Sequence, residues 1–125
     1  MSDDEITDPF GWQLSVTLDD CAPVQMSEGS VLKFCIELAD KIGMHIHRSE
    51  RLCPQAEWYG ASNRVKGVTC FVPLDESSIV IHCVDSTRRV YLHLWSCRLF
   101  LPKDVVQETT AFFGGTVASL RFAVV

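Results

Sequence analysis

Three side chains capable of chemistry fall at fixed intervals in the second half of the chain. Ser77 stands where one strand-like run stops and another starts. His82 follows five residues later, and Cys97 closes the next such run. A hydroxyl, an imidazole and a thiol supply nucleophile, base and acid in covalent catalysis. Asp85-Ser86-Thr87-Arg88 reads as the turn between the two runs. If these residues close a hairpin, partners on its two strands sum to about 173. Ser77 then lies opposite Ser96, and Cys97 lies beside the Glu76–Ser77 bond. Cross-strand neighbours sit ~4.5–5.5 Å apart, so the thiol is held next to the serine. His82 is harder to place. Five residues of flat strand span ~16 Å, and the side chains of Ser77 and His82 point to opposite faces. His82 serves Ser77 only if the chain bends near Ser78 or a second subunit completes the site.

The elements that must position these residues follow from hydrophobic spacing. Residues 1–9 read as a frayed arm. Trp12, Leu14, Val16 and Leu18 alternate with polar neighbours, as in a half-buried strand. Ser27 or Ser30 can cap a helix that carries Val31, Cys35, Leu38, Ala39 and Ile42 on one stripe and stops at Gly43. Met44 to His47 reads as a short strand. Residues 48–66 are polar and irregular, so a long and functional loop is expected there. Gly67–Leu74, Ser77–Cys83 and Val90–Cys97 read as strands. Lys103–Phe113 reads as a helix between Pro102 and Gly114-Gly115, and Thr116–Val125 as a closing strand. Hairpin-joined strands with two helices predict an α+β sandwich: a mainly antiparallel sheet with the helices packed on one face.

Composition narrows the function. The chain has 125 residues, which suits a single domain over 1–125, and is 47% hydrophobic. No apolar run reaches the ~20 residues of a membrane helix. The start, MSDDEITD, is acidic rather than a basic-then-apolar signal, so a cytoplasmic protein without a membrane partner is expected. The formal net charge is -5 and Arg88-Arg89 is the only basic pair, which argues against nucleic acid as a partner. Six cysteines are spread without a CxxC pair. In a reducing compartment they read as free thiols rather than as disulfides or a zinc knuckle. Cys35, Cys70 and Cys83 read as small buried hydrophobes. His45 and His47 alternate, but no third metal ligand is evident, so no metal is expected.

The run Gly67-Val68-Thr69, then Glu76-Ser77-Ser78-Ile79-Val80-Ile81-His82, then Ser96-Cys97, resembles the prokaryotic S-adenosylmethionine decarboxylase proenzyme family. The serine-to-histidine and serine-to-cysteine spacings both match its pattern. The N-terminal part is similar more loosely, through Trp12–Leu18, the Cys21-Ala22-Pro23 loop and the helix ending at Gly43. The resemblance implies self-cleavage between Glu76 and Ser77 into a β chain, 1–76, and an α chain, 77–125. Ser77 Oγ would attack the Glu76 carbonyl to give an ester. Removal of the Ser77 α-proton, with His82 as the family's candidate base, would then cut the chain. The α chain would keep a pyruvoyl group derived from Ser77, with neither metal nor pyridoxal phosphate. Thr69 takes the place of a family serine that assists processing. A pyruvoyl carbonyl forms a Schiff base with an α-amine and acts as an electron sink for decarboxylation. Cys97 matches the family's proton donor, and a free thiol pKa of ~8.5 suits that role. The family also implies a homodimer with sites at the subunit boundary.

The departures from the family concern substrate recognition. Its stretch after the histidine is Thr-Trp-Pro-Glu, whereas here it is Cys83-Val84-Asp85-Ser86. Val84 replaces the tryptophan that stacks on the adenosyl group. Ser86 replaces the ribose-binding glutamate, with Asp85 one place early. A family phenylalanine falls on Asn63 by direct count, or on Trp58 or Tyr59 through an insertion. The economical expectation is a kept reaction on a changed substrate, L-ornithine or L-arginine, feeding polyamine synthesis. Asp85, Glu57 and Glu50 are then candidates for the distal cation, Asp85 first. S-adenosylmethionine decarboxylation, serving spermidine synthesis, is the first alternative. An uncleaved relative that binds or regulates a partner is the second.

Overall fold

The computed structural model describes residues 11–62 and 65–125. The expected N-terminal arm lies outside them. Six strands form one antiparallel sheet: β1 (Trp12–Asp19), β2 (Gln55–Ser62), β3 (Val65–Leu74), β4 (Ser77–Val84), β5 (Arg89–Ser96) and β6 (Thr116–Val124). Their order across the sheet is β2-β3-β4-β5-β1-β6. Alternation assigns each strand's two faces. Leu14, Val16 and Leu18 of β1 are buried, as are Val68, Cys70 and Val72 of β3, Ile79, Ile81 and Cys83 of β4, and Val90, Leu92 and Leu94 of β5. The intervening side chains form the opposite face, which no helix covers among the described residues.

Helices α1 (Glu28–Lys41) and α2 (Pro102–Phe113) cover the apolar face. The Ser27 side chain caps α1 by accepting the Ser30 N–H at 3.2 Å. Glu28 in the first turn and Lys41 in the last suit the helix dipole. Pro102 sits at the start of α2, where its missing N–H costs no hydrogen bond. Gly114 ends α2 at a positive φ of 71°. Val31, Phe34, Cys35, Leu38 and Ala39 of α1 join Val105 and Phe113 of α2 in a continuous core. The helices meet through Phe34, whose ring centroid lies 4.7 Å from Phe112 and 5.3 Å from Phe113. The α+β architecture with helices on one face is as expected.

Two elements differ from the sequence reading. The expected loop 48–66 contains β2, an edge strand paired to β3. Its residues Gln55, Glu57 and Tyr59 face the uncovered side, so the alternation carries little hydrophobic contrast. The expected strand Met44–His47 is reduced to a single bridge, Ile46 to Leu74. No described helix is long and apolar enough to cross a membrane. All six cysteines are free, four of them buried.

Candidate active site

Leu74 pairs with Ser77, so β3 and β4 are joined by a two-residue turn, Asp75-Glu76. Glu76 adopts φ +68°, a left-handed conformation unfavourable for a residue with a Cβ. Such a residue stores ~1–3 kcal/mol. The turn is held from both sides. The Asp75 N–H donates to His45 O at 2.9 Å, and the Cys97 N–H donates to Glu76 O at 3.0 Å. The carbonyl that Ser77 would attack therefore already carries a fixed backbone donor. A donor so placed can stabilise negative charge developing on that oxygen.

β4 and β5 pair in the register expected, with Ser77 opposite Ser96 and His82 opposite Tyr91. Ser77 is 8% exposed and Ser96 is fully buried. The Ser77 hydroxyl donates to Ser96 Oγ at 2.8 Å, and the Arg98 N–H donates to the same oxygen at 2.8 Å. Cys97 follows directly and is half-buried.

His82 belongs to the other face. Along β4, buried and half-buried residues alternate from Ser77 to Val84, placing Ser77 on the helix side and His82 on the open side. No bend near Ser78 brings them together; residues 77–84 are one continuous strand. The β3–β4 register instead sets His82 against Thr69, whose Oγ1 is hydrogen-bonded to His82 Nδ1 at 3.1 Å. Burial first, and then the neighbouring His93, push the imidazole below its ordinary pKa. A neutral imidazole at neutral pH is competent as a base.

The recognition candidates scatter. Asp85 lies in the single-turn 3-10 segment Asp85–Thr87, at the end of β4 away from Ser77. Ser86 is exposed in the same turn. Val84 pairs with Gly67 and Arg89. Asn63 lies outside the described residues. Of the two aromatic alternatives, Tyr59 pairs with Gly67 on the open face, and its hydroxyl donates to Cys83 O at 3.1 Å. Gly67 is required there, since a Cβ would lie 1.7 Å from Cys83 O and 3.0 Å from the Tyr59 hydroxyl. Trp58 points the other way and lines a cavity with Pro23, Met26 and Glu28. Glu57 pairs with Thr69, so Glu57, Thr69, His82 and Tyr91 form one row across four strands. Gln55, Glu57, Thr69 and Phe71 line a cleft of about 130 Å³. Glu57 makes no ion pair among the described residues. Glu50 is exposed in the segment before β2.

In the sequence Ser96 stands out as the register partner of Ser77 and beside Cys97, but its two hydrogen bonds are not visible there. The pairing sum was the signal available. His47 is hydrogen-bonded to Asp75 Oδ1 at 3.3 Å beside the turn. Among the described residues, no group of three or more His, Cys, Asp or Glu could hold a metal ion.

Residues 12–123 match the family model described as S-adenosylmethionine decarboxylase. Among solved structures, the chain is similar to the adenosylmethionine decarboxylase from Aquifex aeolicus VF5. The TM-score is 0.72 at 10% sequence identity, over 94% of this chain and 92% of that one. At that identity the structural likeness speaks to fold alone. No curated protein gives a match.

Proposed function

The chain belongs to the S-adenosylmethionine decarboxylase family, and from that premise we propose that it is a self-processing decarboxylase cut between Glu76 and Ser77. Cleavage gives fragments 1–76 and 77–125, the second beginning with a pyruvoyl group made from Ser77. One observation carries this reading. The Glu76–Ser77 peptide sits in a tight turn at a positive φ, with a backbone donor on its carbonyl and the Ser77 hydroxyl held beside it. These features favour attack by Ser77 Oγ on the Glu76 carbonyl carbon. The pyruvoyl group supplies an electron sink for decarboxylation. Cys97, whose backbone N–H holds the Glu76 carbonyl, is the proposed donor of the proton that the product α-carbon receives.

The reading includes a homodimer. Thr69 and His82 face away from the Ser77 side chain of their own chain, on a sheet face without a helix layer among the described residues. A second copy packed on that face would bring one chain's His82 to the other chain's turn.

The proposed substrate is a basic amino acid, L-ornithine or L-arginine. Val84 cannot stack on an adenine, and Ser86 has no carboxylate for a ribose. Glu57 now stands ahead of Asp85 and Glu50 as the partner for the distal cation. It shares a row and a cleft with Thr69, beside His82. Two strand spacings, ~10 Å, separate its backbone from that of His82. A basic side chain and the reach of the glutamate can bridge that span. Decarboxylation of S-adenosylmethionine is the second reading, favoured by Tyr59, an aromatic ring on the open face near His82.

Denaturing electrophoresis and intact mass test the processing. Carbon dioxide release from L-ornithine, L-arginine and S-adenosylmethionine tests the substrate. Release from S-adenosylmethionine alone would end the amino-acid reading. One whole chain without activity would favour a partner-binding relative.

A further inference from the structure

Ser96 ends β5 with its side chain on the helix side, sealed from solvent. Its oxygen accepts two hydrogen bonds, from the Ser77 hydroxyl and from the Arg98 N–H, each at 2.8 Å. Two donors fill the lone pairs of a hydroxyl oxygen. Ser96 Oγ is therefore fixed, and with it the direction of the Ser77 O–H. The residues around it are fixed too. The Cys97 N–H holds Glu76 O at 3.0 Å, and the Arg98 guanidinium donates to Gly43 O at 3.2 Å. Ser96, Cys97 and Arg98 thus grip both the nucleophile and the carbonyl of the Glu76–Ser77 turn.

We propose that Ser96 is the positioning residue for the first step of self-cleavage, the amide-to-ester shift, and has no part in the second. This rests on the reading that the chain cuts itself at Ser77. By taking the Ser77 hydroxyl proton in a hydrogen bond directed to β5, Ser96 leaves the Ser77 Oγ lone pairs free for the Glu76 carbonyl carbon. In the step itself, the Oγ–C bond forms and the C–N bond breaks. The hydroxyl proton ends on the Ser77 nitrogen, giving an ester and a free amine. No other reactant is consumed. Ser96 orients rather than relays the proton, because an alcohol is too weak a base to carry it. The Thr69–His82 pair, on the opposite sheet face, belongs to the later removal of the Ser77 α-proton. Two hydroxyl contacts on two faces thus serve two successive steps.

Hydroxylamine separates the steps, because it cleaves an ester at Ser77 and spares the amide. Uncleaved precursors of the wild type, Ser96→Val, Ser96→Thr and His82→Asn are compared for processing rate and hydroxylamine lability. Val and Thr have the same shape, so their difference isolates the hydroxyl from packing. Ser96→Val should slow processing on the order of 10²-fold, the scale of a misplaced reacting group. Its precursor should resist hydroxylamine. Ser96→Thr should recover most of the rate. The His82→Asn precursor should be labile, releasing a fragment that begins with a free Ser77 amine. Equal rates for Ser96→Val and Ser96→Thr would overturn the assignment, as would a Ser96→Val precursor as labile as that of His82→Asn. A wild type that stays whole and hydroxylamine-resistant would overturn self-cleavage itself.

Discussion

The Glu76–Ser77 turn and the Thr69–His82 pair are built from the same two strands and have opposite surroundings. At the turn, Ser77 and Ser96 are closed off from solvent on the helix side, and their hydroxyls are joined by a 2.8 Å hydrogen bond. Five residues on, His82 stands half-buried on a face that has no helix layer among the described residues. The alternation that builds the core also divides the chemistry. The Ser77 hydroxyl lies on the dry side and the His82 imidazole on the open one. One chain thus keeps Ser77 and His82 on opposite faces of its sheet, and the proposed homodimer is what would join them.

Substitutions test the separation of the two faces, and loss of the nucleophile has the greatest consequence. Ser77→Ala removes the nucleophile, so the chain should stay whole and release no carbon dioxide, as read by intact mass and a gas-release assay. Co-expressing Ser77→Ala with His82→Asn tests the division of the site. Neither variant alone should be cut, whereas together the His82→Asn chain should be cut, because its Ser77 meets an intact His82 on its partner. A whole His82→Asn chain in the mixture would show that the two faces do not meet between copies. Cys97→Ala should still process, since its backbone N–H remains. Turnover should fall ~10²–10⁴-fold, the usual contribution of a general acid.

Smaller effects sharpen the recognition side. Glu57→Gln keeps size and loses charge. Losing a charge-assisted hydrogen bond of ~1.5–3 kcal/mol should raise KM for a basic amino acid about 10–100-fold, with processing unchanged. Asp85→Asn should leave KM near the wild-type value. An equal effect of the two would place the cation between them. The smallest effect concerns pH. His82 acts as a base only when neutral, and its pKa is lowered, by burial first and by His93 second. Processing should therefore persist somewhat below pH ~6.5, the ordinary histidine value, and fade as pH drops through the lowered pKa. Thr69, Tyr91 and His93 are the neighbours of that ring on the open face. His93→Asn removes the smaller cause and should move the midpoint of the rate profile slightly upward.

Much of this arrangement could be read from spacing. The register of β4 and β5 was legible because a polar four-residue turn sits between two strongly alternating runs. Slipping it by one residue would turn Ile79 and Ile81 out to solvent. The distance between Ser77 and His82 was legible for the same reason. The Thr69–His82 contact was within reach, since a two-residue turn at Asp75-Glu76 also fixes register. Edge strand β2 was not legible. With Gln55, Glu57 and Tyr59 on its uncovered side, it lacks the apolar period by which strands are recognised. That omission concealed the row joining Glu57 to His82, and it left Asp85, near in sequence, as the first choice. The Ser96 hydrogen bonds were out of reach because pairing gives opposition of backbones, not the direction of a hydroxyl.

Self-cleavage at Ser77 fixes what stands at the start of the 77–125 fragment. Its mass and end-group chemistry measure this directly. Two fragments are expected, the smaller lighter by one ammonia than a serine-initiated peptide and blocked to amine reagents until its ketone is aminated. An unbroken chain that still turns over substrate, or a fragment opening with a free serine amine, would contradict that expectation.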